Sequence, residues 1–328
     1  MPTRCVSVTG AAGHIAYALV FRLAAGELFG SDQPIHLRLI DLPSMLPAVE
    51  AVRMEIEDAN CPLVEEITVT SDLSVGFRES TLFFLIGSKP RCAGMERRDL
   101  LRENGRIFVT QGNALQQWAS QEARVIVVGN PCNTNCLIAS SHAPRLSKKN
   151  FISLAGLDEN RARSLLAQKA GVPLSTVSPV AIFGNHSSTM VPDFLHATID
   201  HRPVTEVIPD RRWLEEDFFS LVQQRGAAIL QKRGKSSAAS AAAAALRTAR
   251  HLFFPSEEEF SAGIFSLGNP YGIDQNLIFS FPCKWQNDQR QIVRDLEFDP
   301  FLSAKIRLSE QELQEERACV EDFLHVNP

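Results

Sequence analysis

Cys5-Val6-Ser7-Val8-Thr9-Gly10-Ala11-Ala12-Gly13-His14-Ile15-Ala16 sets a β-prone run against a glycine turn, and an apolar-periodic segment, 16–25, follows. The spacing predicts strand, turn and helix. Glycines at such a turn let the backbone approach a pyrophosphate, and a helix N-terminus adds N–H donors and positive dipole potential. Gly-x-x-Gly-x-x-Ala by itself is a common turn pattern. Its place directly after a strand, at the start of an alternating pattern, gives it weight.

Working outward, the next β-prone run, 35–40, ends at Asp41. An acid there can accept hydrogen bonds from both ribose hydroxyls of a dinucleotide and repels a 2′-phosphate, so NAD is favoured over NADP. The interval from the glycines exceeds the usual roughly 20 residues, and capping the next helix is the ordinary alternative for Asp41. A helix is expected over 46–58, strands over 67–70 and 82–86, helices over 96–104 and 114–120, and a strand over 124–128. Continuous Val/Ile/Leu strands alternating with helices predict a parallel sheet covered on both faces. Ligands bind at the carboxyl ends of such strands, where the glycine turn, Asp41, Arg91 and Asn130 fall. Arg91 and Arg97 lie in Lys89-Pro90-Arg91-Cys92-Ala93-Gly94-Met95-Glu96-Arg97, a loop punctuated by proline and glycine and able to move. Two arginines there suit carboxylate ligands, whereas a charge cluster taken alone reads as a solvated loop.

In the second half, a strand over 151–155 leads to Gly156-Leu157-Asp158-Glu159-Asn160-Arg161. Asp158 has the commonest role of a helix-start acid, and Arg161 lies one turn along the same face. A strand over 177–183 precedes Gly184-Asn185-His186-Ser187. Any one of eight histidines is more often structural than catalytic; a pairing of His186 with Asp158 would hold one imidazole nitrogen so that the other exchanges protons. Gly234-Lys235-Ser236-Ser237 imitates the end of a P-loop, but position 229 is Ile where the motif needs glycine. Residues 238–245, alanine except for Ser240, predict a closely packed helix. Ser309-Glu310-Gln311-Glu312 fits a capping box before a final helix with Leu313, Val320, Phe323 and Leu324 on one stripe. The expected architecture is α/β: a Rossmann-type parallel-sheet domain, 1–153, followed by an α+β substrate domain, 154–328.

Composition narrows the function classes. With 328 residues, 45% hydrophobic and 22% charged, the chain is ordinary for a soluble globular protein. Its net charge, 33 − 38 = −5, and the lack of a basic run disfavour nucleic acid. No apolar stretch is long enough to span a bilayer, and the N-terminus lacks a signal-peptide core. Seven scattered cysteines resemble reduced thiols of a cytoplasmic protein more than a disulfide framework. Cys132 and Cys136 lack the second half of a zinc knuckle, so no metal is expected.

Pro90-Arg91…Gly94-Met95-Glu96-Arg97, Val127-Val128-Gly129-Asn130-Pro131, Leu157-Asp158…Asn160-Arg161 and Gly184-Asn185-His186-Ser187, in this order, resemble the malate dehydrogenase branch of the lactate/malate dehydrogenase family, cytosolic type. The likeness runs from Val8 to Arg317. It implies reversible NAD-dependent oxidation of (S)-malate to oxaloacetate, in the tricarboxylic acid cycle, by a cytoplasmic homodimer. His186 would accept the hydroxyl proton, Asp158 would orient it, and Arg161 would grip the carboxylate beside the reacting carbon. Arg97 would polarise the carbonyl, Arg91 would pair with the second carboxylate, and Asn130 would contact substrate and help place the nicotinamide. Gly10, Ala11, Ala12, Gly13, His14, Ile15, Ala16, Asp41, Asn104, Gln111, Val128, Gly129 and Asn130 match cofactor positions, and Ser236 or Ser237 a contact to substrate or nicotinamide. The chain departs from the family at Ala155-Gly156, where Thr-Arg is usual, at Glu159 for His, and at Phe183 for Trp; none removes a mechanistic group. A lactate dehydrogenase is the nearest alternative, but lactate has no second carboxylate for Arg91. A non-catalytic NAD-binding protein would be expected to have a damaged His–Asp–Arg set, which is intact here.

Overall fold

Val6, Ser7, Val8 and Thr9 are buried in succession, as a parallel strand covered on both faces requires. They belong to β1 (Arg4–Thr9), followed by α1 (His14–Ala24), β2 (Ile35–Ile40), α2 (Leu46–Asp58), β3 (Val64–Thr70), α3 (Leu73–Gly76), β4 (Leu82–Leu85), α4 (Arg97–Trp118), β5 (Arg124–Val127), α5 (Cys132–Ser141) and β6 (Phe151–Leu154). These strands run parallel in the order β6-β5-β4-β1-β2-β3, the doubly wound Rossmann order. The computed structural model describes residues 2–89, 96–286 and 289–325. The chain divides into two compact units, the first comprising 1–153, 238–252 and 316–328, the second 154–237 and 253–315.

Within the first unit, α4 is one helix of 22 residues, where two were expected over 96–104 and 114–120. Gly105 and Gly112, which lie between those two spans, are close-packing points. A Cβ on Gly105 would lie 2.7 Å from the Phe323 ring, and one on Gly112 would lie 2.6 Å from the Ala139 carbonyl oxygen of α5. Near the C-terminus, Arg102 of α4 grips Asp322 with both Nη atoms, at 2.9 and 2.8 Å, and lies over the Phe323 ring. His142 Nε2 is 2.8 Å from the Phe323 carbonyl oxygen.

The second unit contains α6 (Gly156–Ala170), the strand pairs β7 (Ile182–Phe183) with β8 (Val191–Pro192) and β9 (Thr198–Ile199) with β10 (Arg202–Pro203), α7 (Val204–Val207) and α8 (Phe219–Arg233). The chain then forms α9 (Ala239–Phe253), nearly all of it in the first unit, where Ala241, Ala242, Ala244 and Ala245 are buried as the alanine run predicts. Back in the second unit, β11 (Phe260–Phe265), β12 (Ile278–Gln286) and β13 (Gln289–Ile292) make an antiparallel meander, and α10 (Pro300–Cys319) follows. An α+β unit thus follows the Rossmann unit. Its core is aromatic: Phe183, fully buried, meets Tyr271, Phe281 and Phe298 edge-on. Burial pushes the Cys283 thiol up to about 12 and raises Cys136 as well, which keeps both inert.

Two further expectations need correction. The strand predicted over 177–183 is regular only at Ile182–Phe183; Val177 forms an isolated bridge with Ile199. The final helix does not begin at a capping box. It starts at Pro300, where Asp299 Oδ1 accepts the Leu302 amide at 2.8 Å, so Asp-Pro is the start signal and Ser309 and Glu312 lie mid-helix. Gly234, the remnant of the P-loop pattern, is the C-cap of α8.

Candidate active site

In the first unit, the carboxyl ends of β1, β4 and β5 approach one another through glycine backbone. Gly10 leaves β1 at φ +67°, and a Cβ on it would stand 2.6 Å from Gly87 Cα, so only glycine fits. A Cβ on Gly129 would stand 2.9 Å from the Ile86 carbonyl oxygen. Gly13 N donates to Gly10 O at 2.9 Å, and Gly13 is the extended N-cap of α1, with no side chain capping the helix and no acid in its first turn. Ala11 in the turn and Ala16 beyond it are buried, His14 is exposed and Ile15 is half-buried. The start of α1 thus offers backbone donors and positive potential with no acidic residue in the helix's own first turn. Asp41, at the end of β2, accepts the Ala12 amide on Oδ2 at 2.9 Å and the Leu42 amide on Oδ1 at 2.8 Å. Its remaining lone pairs suit ribose hydroxyls, and its charge beside the turn opposes a 2′-phosphate. Helix start, glycine turn and carboxylate therefore fit an NAD dinucleotide.

Val128 and Gly129 both donate to the Leu85 carbonyl, at 2.9 and 3.0 Å, and Asn135 Nδ2 donates to Gly129 O at 2.8 Å. These bonds fix the backbone before the exposed Asn130. Asn104, fully buried on α4, brackets the backbone of Lys89: Oδ1 accepts its amide at 2.7 Å and Nδ2 donates to its carbonyl at 3.1 Å. Gln111, seven positions along α4, is buried, and its Oε1 has no hydrogen-bond partner among the described residues. Arg91 lies outside the described residues. Arg97 is the first residue of α4, and its side chain lies outside them too.

In the second unit, α6 presents Asp158 and Arg161 one turn apart. Asp158, fully buried, spends one oxygen on each neighbour: Oδ2 meets His186 Nδ1 at 2.5 Å, and Oδ1 accepts Arg161 Nη1 at 3.1 Å. The His186 and Arg161 side chains are 13% and 11% exposed, buried enough to be held and open enough to be reached. Occupation of Nδ1 by a carboxylate leaves proton exchange to Nε2. Arg161 Nη2 is 3.4 Å from Ser237 Oγ, which places Ser237 at this guanidinium. The structure therefore brings together Asp158, His186, Arg161 and Ser237. Glu159, where the family usually has His, turns inward: it is buried, and its Oε2 accepts the Ser261 amide of β11 at 2.7 Å.

Two groups around His186 escape the sequence reading. Gly184 exchanges backbone hydrogen bonds with Ser280 of β12, at 3.2 and 2.9 Å. On the other side the loop is tied to Ser309 and Glu312 of α10. Their spacing was visible, but Ser-x-x-Glu is also the pattern of a capping box.

Residues 4–152 match the lactate/malate dehydrogenase NAD binding domain, and 155–324 match the lactate/malate dehydrogenase alpha/beta C-terminal domain. The chain belongs to the lactate/malate dehydrogenase family. This family member is an NAD-dependent oxidoreductase. It is 52% identical to the malate dehydrogenase of Protochlamydia amoebophila over 324 residues, 98% of each chain. The crystal structure of malate dehydrogenase from Naegleria fowleri superposes with a TM-score of 0.95 at 39% identity, covering 98% of this chain and 99% of that one. A Trichomonas vaginalis lactate dehydrogenase in complex with NADH and oxamate gives 0.94 at 36% identity, with the same coverage. Both branches of the family thus share this fold.

Proposed function

We propose that this member of the lactate/malate dehydrogenase family is a malate dehydrogenase, interconverting (S)-malate and oxaloacetate. The observation that carries the reading is the buried Asp158 carboxylate joining His186 to Arg161. Residues 1–153 bind NAD through Gly10–Ala16, Asp41, Asn104, Gln111 and Val128–Asn130, and residues 154–328 hold the substrate. Bound NAD supplies the hydride acceptor.

The rest is the work of side chains. Arg161 forms a bidentate pair with the carboxylate next to the reacting carbon, which sets the substrate's orientation. His186 Nε2 takes the hydroxyl proton as the hydride leaves C2, and the imidazolium that forms is stabilised by Asp158 on Nδ1. Arg97 polarises the oxygen at C2, and Asn130 bonds the substrate and helps place the nicotinamide. In the reverse direction His186 returns the proton to the oxaloacetate carbonyl.

Arg91 distinguishes this reading from a lactate dehydrogenase. A C4 dicarboxylate supplies a second carboxylate for it, whereas lactate would leave a guanidinium unpaired, at a cost of about several kcal/mol if it were buried. The 52% identity to a malate dehydrogenase supports the same choice. We further propose that the enzyme acts in the cytoplasm, as a homodimer, in the tricarboxylic acid cycle; the six described cysteines form no disulfide, and no helix among the described residues is long and apolar enough to cross a membrane.

The test is oxidation of NADH followed with oxaloacetate and with pyruvate, with NADPH as the cofactor control. Oxaloacetate with NADH should be turned over far faster than either alternative pair, and His186→Asn should retain NADH binding while losing about 10²-fold or more in kcat. A preference for pyruvate, or near-normal turnover by His186→Asn, refutes the reading.

A further inference from the structure

The loop that carries His186 is held from below by one face of α10. Gly184, at φ +96°, lies so flat on that helix that an added Cβ would stand 2.1 Å from Ser309 Oγ. Ser309 Oγ accepts the Asn185 amide at 2.8 Å and is 2.9 Å from Thr189 Oγ1. One oxygen of Glu312, Oε2, gathers three donors from the same loop: Asn185 Nδ2 at 2.9 Å, Thr189 Oγ1 at 2.6 Å, and the hydroxyl of Ser187. Ser309 and Glu312 are one turn apart, so they form a single anchoring face. Ser309 is fully buried and Glu312 half-buried. Residues 185, 187 and 189 are therefore bound to α10, and His186, between the first two, is turned toward Asp158 of α6.

We propose that Ser309 and Glu312 are positioning residues for His186, a role that rests on the acid–base reading above. The backbone bends tightly at His186, where Ser187 N donates to Asn185 O at 2.8 Å. With the residues on both sides of that bend tied to α10, the bend holds one orientation, and the side chain of 186 keeps one direction. His186 Nδ1 has a single narrow target, an Asp158 oxygen at 2.5 Å whose twin is committed to Arg161. The two contacts on Asp158 can persist together only if the imidazole approaches from one direction. A charged acceptor taking three hydrogen bonds holds that direction more firmly than solvent would. A base displaced by about 1 Å from its productive position loses up to on the order of 10²-fold in rate.

Four variants test this. Glu312→Ala should lower kcat for malate oxidation by on the order of 10-fold to 10²-fold, counted per NADH-binding site so that unfolded protein does not enter, with the NADH Kd unchanged. Glu312→Gln keeps an acceptor oxygen facing the same donors and should restore most of the lost kcat. Glu310→Ala is the control for a merely structural role. Glu310, on the same helix, accepts the Asp274 amide at 2.7 Å and anchors a different loop, so its loss should lower Tm and leave kcat per site near the parent's. His186→Asn, measured alongside, separates this proposal from the one it rests on. If His186→Asn abolishes turnover while Glu312→Ala retains the parent's kcat per site, the positioning role is refuted and the acid–base role stands. Equal losses of kcat per site in Glu310→Ala and Glu312→Ala refute it as well. If His186→Asn itself turns over normally, the acid–base reading falls first.

Discussion

Asp158 shows how much one buried carboxylate decides. Each of its oxygens has a cationic or proton-donating partner, His186 on Oδ2 and Arg161 on Oδ1, and the group has no exposure to water. A charge so placed is tolerable only while both partners remain, because removing one leaves the other's demand unmet. Asp158→Asn is nearly isosteric but replaces one acceptor oxygen with a donor, which can satisfy neither Arg161 nor a protonated Nδ1. The expected outcome is a fall in kcat of about 10²-fold to 10⁴-fold together with a raised KM for malate, since Arg161 loses its orienting partner too. Steady-state kinetics on this variant check both effects, and a loss of kcat with KM unchanged would show that Arg161 is held independently.

At the scale of elements, sequence and structure part company where glycine and serine have two meanings. The strand–turn–helix at 4–24 was legible because its glycines follow a strand directly, and Asp41 because it ends the next one. Helix α4 is one element although two were expected over 96–104 and 114–120; Gly105 and Gly112 lie between those spans and lower helix propensity, and the tertiary contacts that require glycine there are invisible in one dimension. Ser309 and Glu312 were read as a cap because their spacing serves both purposes; the pairing of His186 with Asp158, 28 positions away, was raised as a possibility and completed by the resemblance. Gly112→Ala tests the lesson. Propensity alone predicts a gain of about 1 kcal/mol, but the new methyl would stand 2.6 Å from Ala139 O and 2.7 Å from His142 Cβ, and overpacking costs about 1–3 kcal/mol. Thermal unfolding should therefore show a lower Tm; a higher one would mean that α5 yields without cost.

For the whole molecule, the first unit leaves a run of large apolar side chains in water: Leu42 at 67%, Met54 at 54%, Tyr17 at 42% and Met45 at 40% exposure, on α1, α2 and the turn between β2 and α2. Tyr17 donates to Glu55, which ties α1 to α2 as one surface. Such a surface supports the proposed homodimer. Light scattering should give twice the chain mass for the parent, and Met54→Glu, which sets a charge in that face, should shift the population toward the single-chain mass; a parent that runs as one chain refutes the dimer. The discontinuity of the first unit has a further consequence, one of time. A ribosome delivers residues 1–153 long before 238–252 and 316–328, so the nascent Rossmann sheet must wait for α9 and for the partners of Arg102, Gly105 and His142 to emerge. Both segments of the second unit, 154–237 and 253–315, are synthesised inside that wait, and the unit that binds the dinucleotide, although begun before the second, is completed after it.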